Sequence, residues 1–238
     1  MKLSVILIDG TPLLEHASNS DVEFYAVPKW GMGFEEARGE RVAVLSARYR
    51  IGPAWLETAM NTQSAMTWGM VEPDPNLSPY YLLEYSHLLN EGIQNPLAAP
   101  GGNVVYHRDV VSRIAPRDFL REVDFHKELA GVSNAFDARL NVTLIAPPPW
   151  PQYRSERWEA SFEWARTHRH HPVANLLTRL ALPPVLVGRI AKRVYADDRY
   201  KAAFWRGLPR IIEGSMIQMS GEIRGILAGN RNERMPPR

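Results

Sequence analysis

ARGERVAVLSARYRIGPAWLE, residues Ala37 to Glu57, reads as the end of a helix, a turn, a buried strand and the start of a second helix. The strand is the short apolar run Arg41 to Leu45, rich in β-branched residues. Pro53 stands near the first turn of the second helix, where its missing N–H is tolerated. A strand of this kind delivers its last residues to a sheet edge where functional groups gather. Here those residues are Ser46, Ala47 and Arg48, with no acid among them.

Working outward, Lys2 to Ile8 is a similar apolar run closed by Asp9-Gly10, and Val22 to Val27 repeats it until Pro28 stops it. Between them and Arg41, the segment Phe34 to Arg38 predicts a short helix ended by Gly39 at a C-cap. Strands alternating with short helices point to an α/β sheet with parallel strands. In such sheets ligands sit beyond the carboxyl ends of the strands. Asp9-Gly10 and Ser46-Ala47-Arg48 therefore belong to one rim. Ser64 to Val71 predicts a returning strand. Ser78 to Gly92 predicts a helix with Tyr81, Leu82, Tyr85, Leu88 and Leu89 at helical spacing, a stripe better suited to core than to a ligand box. Pro100 to Ile114 gives a glycine turn, a strand and a helix. Pro116 to Gly131 gives another helix, with Asp118 and Glu122 near its start.

The character of the chain changes at APPPWPQ, Ala146 to Gln152, where successive prolines make a stiff connector. The division that follows is an α/β domain over 1–146, a connector over 147–152, a basic helical region over 153–230 and a tail over 231–238. From Trp164 to Arg210 there are ten Lys and Arg against Asp197 and Asp198. The last helix places Phe204, Leu208, Ile211, Ile212, Met216, Met219, Ile223, Ile226 and Leu227 on one side. The pattern over residues 176–228 fits an anionic membrane surface or a helical homodimer face.

Bulk properties narrow the function classes. The 238 residues are 45% hydrophobic, enough for a real core, and the formal net charge is only +2. With no cysteine, disulfides, thiolate metal sites and cysteine nucleophiles are excluded. No secretory start and no apolar run of the ~18–20 residues needed to span a bilayer occur, so the expected location is cytoplasmic, with the inner membrane face as the alternative. No motif that reads RNA or DNA accompanies the basic residues, so no nucleic-acid partner is expected.

The order of several blocks is more informative than any one of them. ARGERVAVLSARYRIGPAWLE, then EYSHLL, PGGNVVYHRDVV, EVDFHKELAG and FDARLNV resemble, in sequence order, segments of the family 2 glycosyltransferases. ASFEWARTHRHH and the apolar-basic helices after it resemble the membrane-proximal tails of some bacterial members. The resemblance spans residues 1 to 228. It implies a GT-A-like (Rossmann-like) mixed sheet flanked by helices with a C-terminal helical extension, and a nucleotide-sugar as substrate.

Two departures accompany it. SVILIDG lies about a dozen residues before VEFYAV, so it matches the family's second strand, leaving the first strand and its helix missing or rearranged. The strand ending at Ser46-Ala47-Arg48 lacks the family's Asp-x-Asp motif, which supplies hard oxygen ligands to the cation bridging the diphosphate. The later histidine that completes such a metal site has no counterpart between Lys127 and Thr167. The expectation is a site with no metal ligands and no resident cofactor.

By position in the resembling blocks, Asp124 is the base that takes the acceptor proton, with Glu122 and His126 beside it. Each also reads as an ordinary helix-face or packed residue. Asp9 and Arg48 are the candidate nucleotide-sugar contacts, and Gly101, Gly102 and Asn103 resemble the family's turn near the acceptor, all five counted as binding residues. Arg48 would offset phosphate charge bidentately, and the glycines would let backbone approach substrate. A plain turn accounts for the same residues. His168, His170 and His171 read as a basic surface feature, since no third ligand or supporting partner accompanies them. Three functions follow: a metal-independent glycosyltransferase, an inactive relative serving as binding or scaffold subunit, and the same fold recruited to another biosynthetic reaction.

Overall fold

The computed structural model describes residues 2–8, 21–27, 33–88, 99, 102–114, 122–129, 131–167, 178–195 and 200–232. Asp9, Gly10, Leu89, Gly101, Asp118, the His168, His170 and His171 cluster and residues 233–238 lie outside them, as do the side chains of Tyr85, Leu88, Glu122 and Asp124. The chain divides into two compact units, Met1–Leu77 with Tyr85–Pro147, and Ser78–Glu84 with Pro148–Arg238. A single cut in the sequence does not describe this division, because the first turns of one helix, residues 78–84, count with the second unit.

The first unit is α/β. Strands β1 (Leu3–Ile8), β2 (Val22–Val27) and β3 (Arg41–Ser46) are the three apolar runs read from the sequence. They are joined by β5 (Met66–Trp68), β7 (Asn103–His107) and β8 (Asn134–Phe136) in a six-stranded sheet of order β2-β1-β3-β7-β5-β8. β1 pairs in parallel with both β2 and β3. β7 is antiparallel to its neighbours β3 and β5, and β8 returns to the parallel sense beside β5. The sheet is therefore mixed. β1 has a strand on each side, β2 on one and β3 on the other. The opening strand is interior to the sheet, second from its β2 edge, and its residues are buried on both faces.

Alternation sorts the strand residues into two layers. Ile6, Val42, Val44, Met66, Trp68, Val104 and Tyr106 join Val110 and Val111 of α3 (Arg108–Ile114) and Phe125 of α4 (Glu122–Glu128) on one face. Leu3, Val5, Leu7, Ala43, Leu45 and Val105 join Trp55 and Ala59 of α1 (Trp55–Asn61) on the other. A three-stranded sheet completes that second layer: β4 (Tyr49–Ile51), β9 (Val142–Leu144) and β6 (Val71–Pro73), with β9 central. Each of its strands continues one of the main sheet, β3 into β4, β5 into β6 and β8 into β9. The strand expected over Ser64 to Val71 is thus two short ones, one in each sheet.

Residues 33–36 form a turn rather than a helix, closed by the Ala37 amide donating to the Gly33 carbonyl at 3.1 Å. The left-handed glycine is Gly33, with φ of 81°. Gly39 is required for another reason: a Cβ there would lie 2.5 Å from the Ser4 nitrogen. Buried Ser4 accepts from the Arg38 and Gly39 amides at 3.0 and 2.7 Å and donates to Glu23.

The second unit is helical: the start of α2 (Pro79–Leu88), α5 (Trp150–Thr167), α6 (Leu182–Val194) and α7 (Lys201–Asn232). α5 opens inside the stretch read as connector, since Pro151 in a first turn costs little. Among the described side chains of α2, Tyr81 and Leu82 of the expected stripe are half-buried, and Tyr80 and Leu83 are buried. They pack with Tyr153, Val194, Phe204 and Ile211. α5 lies along α7 over a row of small residues. Cβ atoms at Gly221 and Gly225 would stand 2.6 Å and 2.3 Å from the Trp158 and Phe162 carbonyl oxygens. The apolar stripe expected on α7 is consequently split: Phe204 and Ile211 face inward, while Ile212, Met216 and Leu227 are exposed.

Candidate functional site at the carboxyl rim

β1 and β3 are adjacent and parallel, and the residues that end them, Ile8 and Ser46, are register partners. From β1 the chain continues to β2 on one side, whereas from β3 it continues to strands on the other. This divergence of connections makes the β1–β3 end a topological switch point, the place where open α/β sheets form a crevice. Asp9 follows Ile8 directly in sequence. Because β7 runs antiparallel, its first residues, Gly102 and Asn103, start at the same rim.

The rim is tightly tied. The Ala47 amide donates to the Ile8 carbonyl at 2.8 Å and the Ser46 amide to the Gly102 carbonyl at 2.9 Å. Buried Ser46 also accepts from the Arg48 amide at 3.3 Å. The Arg48 carbonyl accepts from the Ile145 and Ala146 amides at 3.0 and 3.3 Å. Arg48 is therefore held by its backbone on both sides and keeps a half-buried side chain at the end of β3. A Cβ on Gly102 would lie 2.6 Å from that of Ser46, so glycine here serves close approach of strands.

Asn103 is buried, and its amide is spent on the fold. Its Oδ1 accepts from Trp55 Nε1 at 2.8 Å, and its Nδ2 donates to the carbonyls of Leu140 and Met70 at 2.7 and 3.2 Å. It is a hub joining α1 and the crossings from β5 to β6 and from β8 to β9, not a side chain turned toward a ligand. The sequence reading missed this role; a polar residue opening an apolar strand run was its only signal. Asp137, after β8, takes Arg139 in a fork at 3.0 and 2.7 Å, which holds its carboxyl below the usual range.

Among the proposed catalytic residues, Glu122 and Asp124 begin α4, whose Phe125 packs edge to face on Tyr106 at 5.4 Å. His126 is buried, with Nε2 2.7 Å from the Tyr106 hydroxyl. Burial pushes its pKa down from 6.5 to about 4, so we assign a neutral ring accepting from the phenol. This histidine fastens α4 to β7, and direct help in proton transfer does not fit its position.

The fold should register that burial as acid sensitivity. Above pH 6.5 neither folded nor unfolded His126 binds the proton, and the stability is complete. Between 6.5 and about 4 the unfolded chain gains the proton and the folded one does not, so stability falls as pH falls. The loss is about 3 kcal/mol by pH 4 at ~1.4 kcal/mol per pH unit. Urea unfolding near pH 7.5 and pH 4.5 should show a larger acid loss in the native chain than in His126→Gln. Equal losses would assign the acid sensitivity elsewhere.

Among the described residues, no group of three or more His, Cys, Asp or Glu could hold a metal ion. No protein-family model and no curated protein matches the chain. Among solved structures, the chain is similar to the crystal structure of S. aureus TarS 1-349 in complex with UDP-GlcNAc. The TM-score is 0.41 at 10% sequence identity, covering 100% of this chain and 93% of that one. A likeness this distant transfers no residue roles, and the site rests on the chain's own topology.

Proposed function

We propose that this is a glycosyltransferase-like protein that binds a nucleotide-sugar at the β1–β3 rim and transfers the sugar without a divalent cation. The observation that carries the reading is the switch point itself: two parallel strands ending in register at Ile8 and Ser46, with Arg48 in the place where the resembling family carries metal-binding carboxylates. In the reaction, the acceptor hydroxyl oxygen bonds to the anomeric carbon and gives its proton to Asp124. The bond from that carbon to the diphosphate breaks, and its electron pair leaves with the nucleoside diphosphate. Arg48 offsets the charge that develops there. In this reading Glu122 assists the base, Asp9 serves the donor, Gly101, Gly102 and Asn103 serve the acceptor side through their backbone, and His126 positions α4.

Thermal unfolding in the presence of a chelator tests this. Saturating uridine, guanosine or thymidine diphosphate sugar should raise Tm by about 5 °C. Arg48→Ala should weaken binding at least tenfold, the loss of a charge-assisted contact. If no sugar nucleotide shifts Tm, or only with added Mn²⁺, the reading fails.

A non-catalytic binding or scaffold role is the second reading. It is favoured by the commitment of Asn103 and His126 to the interior, which leaves fewer polar groups for chemistry. A tight homodimer through residues 176–228, or a partner completing the rim, would support it. Saturable nucleotide-sugar binding by a monodisperse monomer would end it.

A further inference from the structure

All seven large hydrophobic side chains exposed among the described residues, Leu180, Val185, Tyr195, Trp205, Ile212, Met216 and Leu227, belong to the helical unit. Concentration of this kind marks an interaction surface. On α7 the pattern is ordered. Helical residues advance by about 100° each, so Trp205, Pro209, Ile212, Met216, Ile223 and Leu227 fall on one narrow strip. This strip lies opposite the small-residue row that meets α5. Trp205 is 60% exposed, and Ile212, Met216 and Leu227 are 44%, 47% and 50% exposed. The helix thus meets α5 through glycines and packs Phe204 and Ile211 inward, yet leaves Trp, Ile and Met on its outer face.

Charge identifies the occupant. Arg206, Arg210 and Arg224 run along one edge of the strip and are exposed. The acid on that edge, Glu213, is already bridged by Arg210 at 2.7 Å and Arg154 at 3.6 Å. On α6 the exposed Val185 shares its side of the helix with exposed Arg189 and Lys192. Among the described residues of α6 and α7 the remaining acid, Glu222, is buried against Arg179, so a second copy laid strip to strip presents these cations with no unbridged acid from those helices. An anionic bilayer supplies both an apolar phase for the strip and negative headgroups for its basic edge. Indole and phenol groups, as in Trp205 and Tyr195, suit the boundary between the two. None of the described helices is long and apolar enough to cross a membrane, so attachment is by lying in the surface.

We propose that α7 seats its outward strip, flanked by Arg206 and Arg224, in the headgroup region of an anionic bilayer, with α6 contributing Arg189 and Lys192. The test is flotation of the full chain with phosphatidylcholine vesicles, with and without phosphatidylglycerol. The native chain should float with the anionic vesicles and be released by salt. Ile212→Ser with Met216→Ser should reduce binding at least tenfold. Arg206→Glu with Arg224→Glu should reduce it by at least about twentyfold, given about fivefold per lost arginine. Because all four side chains are exposed, Tm should be unchanged. Leu227→Ser with Trp205→Ser serves as an independent strip variant if the first pair lowers Tm. Three results would overturn the proposal: no flotation at any composition, flotation indifferent to both strip variants, or a concentration-dependent dimer in sedimentation that the strip variants dissolve while vesicles stay unbound. Nucleotide-sugar binding is read on the soluble chain, so failure of one proposal leaves the other standing.

Discussion

Replacing Asn103 by leucine is expected to destabilise the α/β unit by about 4 kcal/mol, although the two side chains are similar in size and the site is buried. The amide satisfies three groups at once: the Trp55 indole N–H at 2.8 Å and the carbonyls of Leu140 and Met70 at 2.7 and 3.2 Å. With leucine, the Trp55 N–H and the Leu140 carbonyl stay buried without this partner, each at a cost of about 1–3 kcal/mol, while the Met70 carbonyl keeps the Val142 amide at 3.0 Å. Water has no easy way in, because Leu140 and Trp55 are themselves fully buried. The urea midpoint, with hydrogen exchange on peptides covering β3 and β7, reads the effect. Trp55→Phe, which loses one of the three bonds and some packing, should cost less. A loss below about 1 kcal/mol for Asn103→Leu would mean that the hub is dispensable.

The second large effect is expected in the helical unit. Glu222 is buried and lies 2.9 Å from Arg179, whose guanidinium also stacks over Trp164 at 5.0 Å. Gln218 donates to the Glu222 carboxylate at 2.9 Å and accepts from Arg157 at 2.7 Å. Burial lowers the Arg157 pKa to about 10, while Glu222 works in the opposite direction. One buried carboxylate thus balances two cations. Glu222→Gln keeps the size and removes the charge, and should destabilise the unit by about 3–5 kcal/mol, the cost typical of breaking a buried pair. Arg179→Ala should cost less, because its side chain is 23% exposed and its partner retains Gln218. The discriminating measurement is hydrogen exchange in α5 and α7 peptides. Protection equal to the native chain in Glu222→Gln would show that solvent already reaches the network.

The helical unit also shows why some features escape a linear reading. The apolar side of α7 is wide, so periodicity indicates a helix without indicating which part of that side is inward. That choice falls to α5, which can approach only where Gly221 and Gly225 leave room. The strands β4, β6, β8 and β9 are three residues each, too short for any alternation to register. β4, β6 and β9 exist because main-sheet strands run on into a second sheet that supplies their partners, and β8 exists because β5 offers it a parallel partner at the edge of the main sheet. In the same way Gly33 and Gly39 look interchangeable as helix terminators. One carries a positive φ, and the other sits against the backbone of β1.

What the sequence by itself determined is the set of mostly apolar strands β1, β2, β3 and β7, the helix α1 that follows the β3 rim, and the rim residues that follow β1 and β3. These are local properties: β-branched runs with clear stops specify a strand wherever it pairs, and its carboxyl end follows from chain direction. The absence of acids at Ser46-Ala47-Arg48 was equally plain. Only the tertiary structure decided that β1 lies between β2 and β3, that β7 enters antiparallel and brings Gly102 to the rim, and that Asn103 and His126 turn inward. Those outcomes depend on which hydrogen-bond partner or packing surface each residue meets across the fold. A buried amide or imidazole satisfies the nearest backbone group or phenol, and no spacing along the chain records where that group will be.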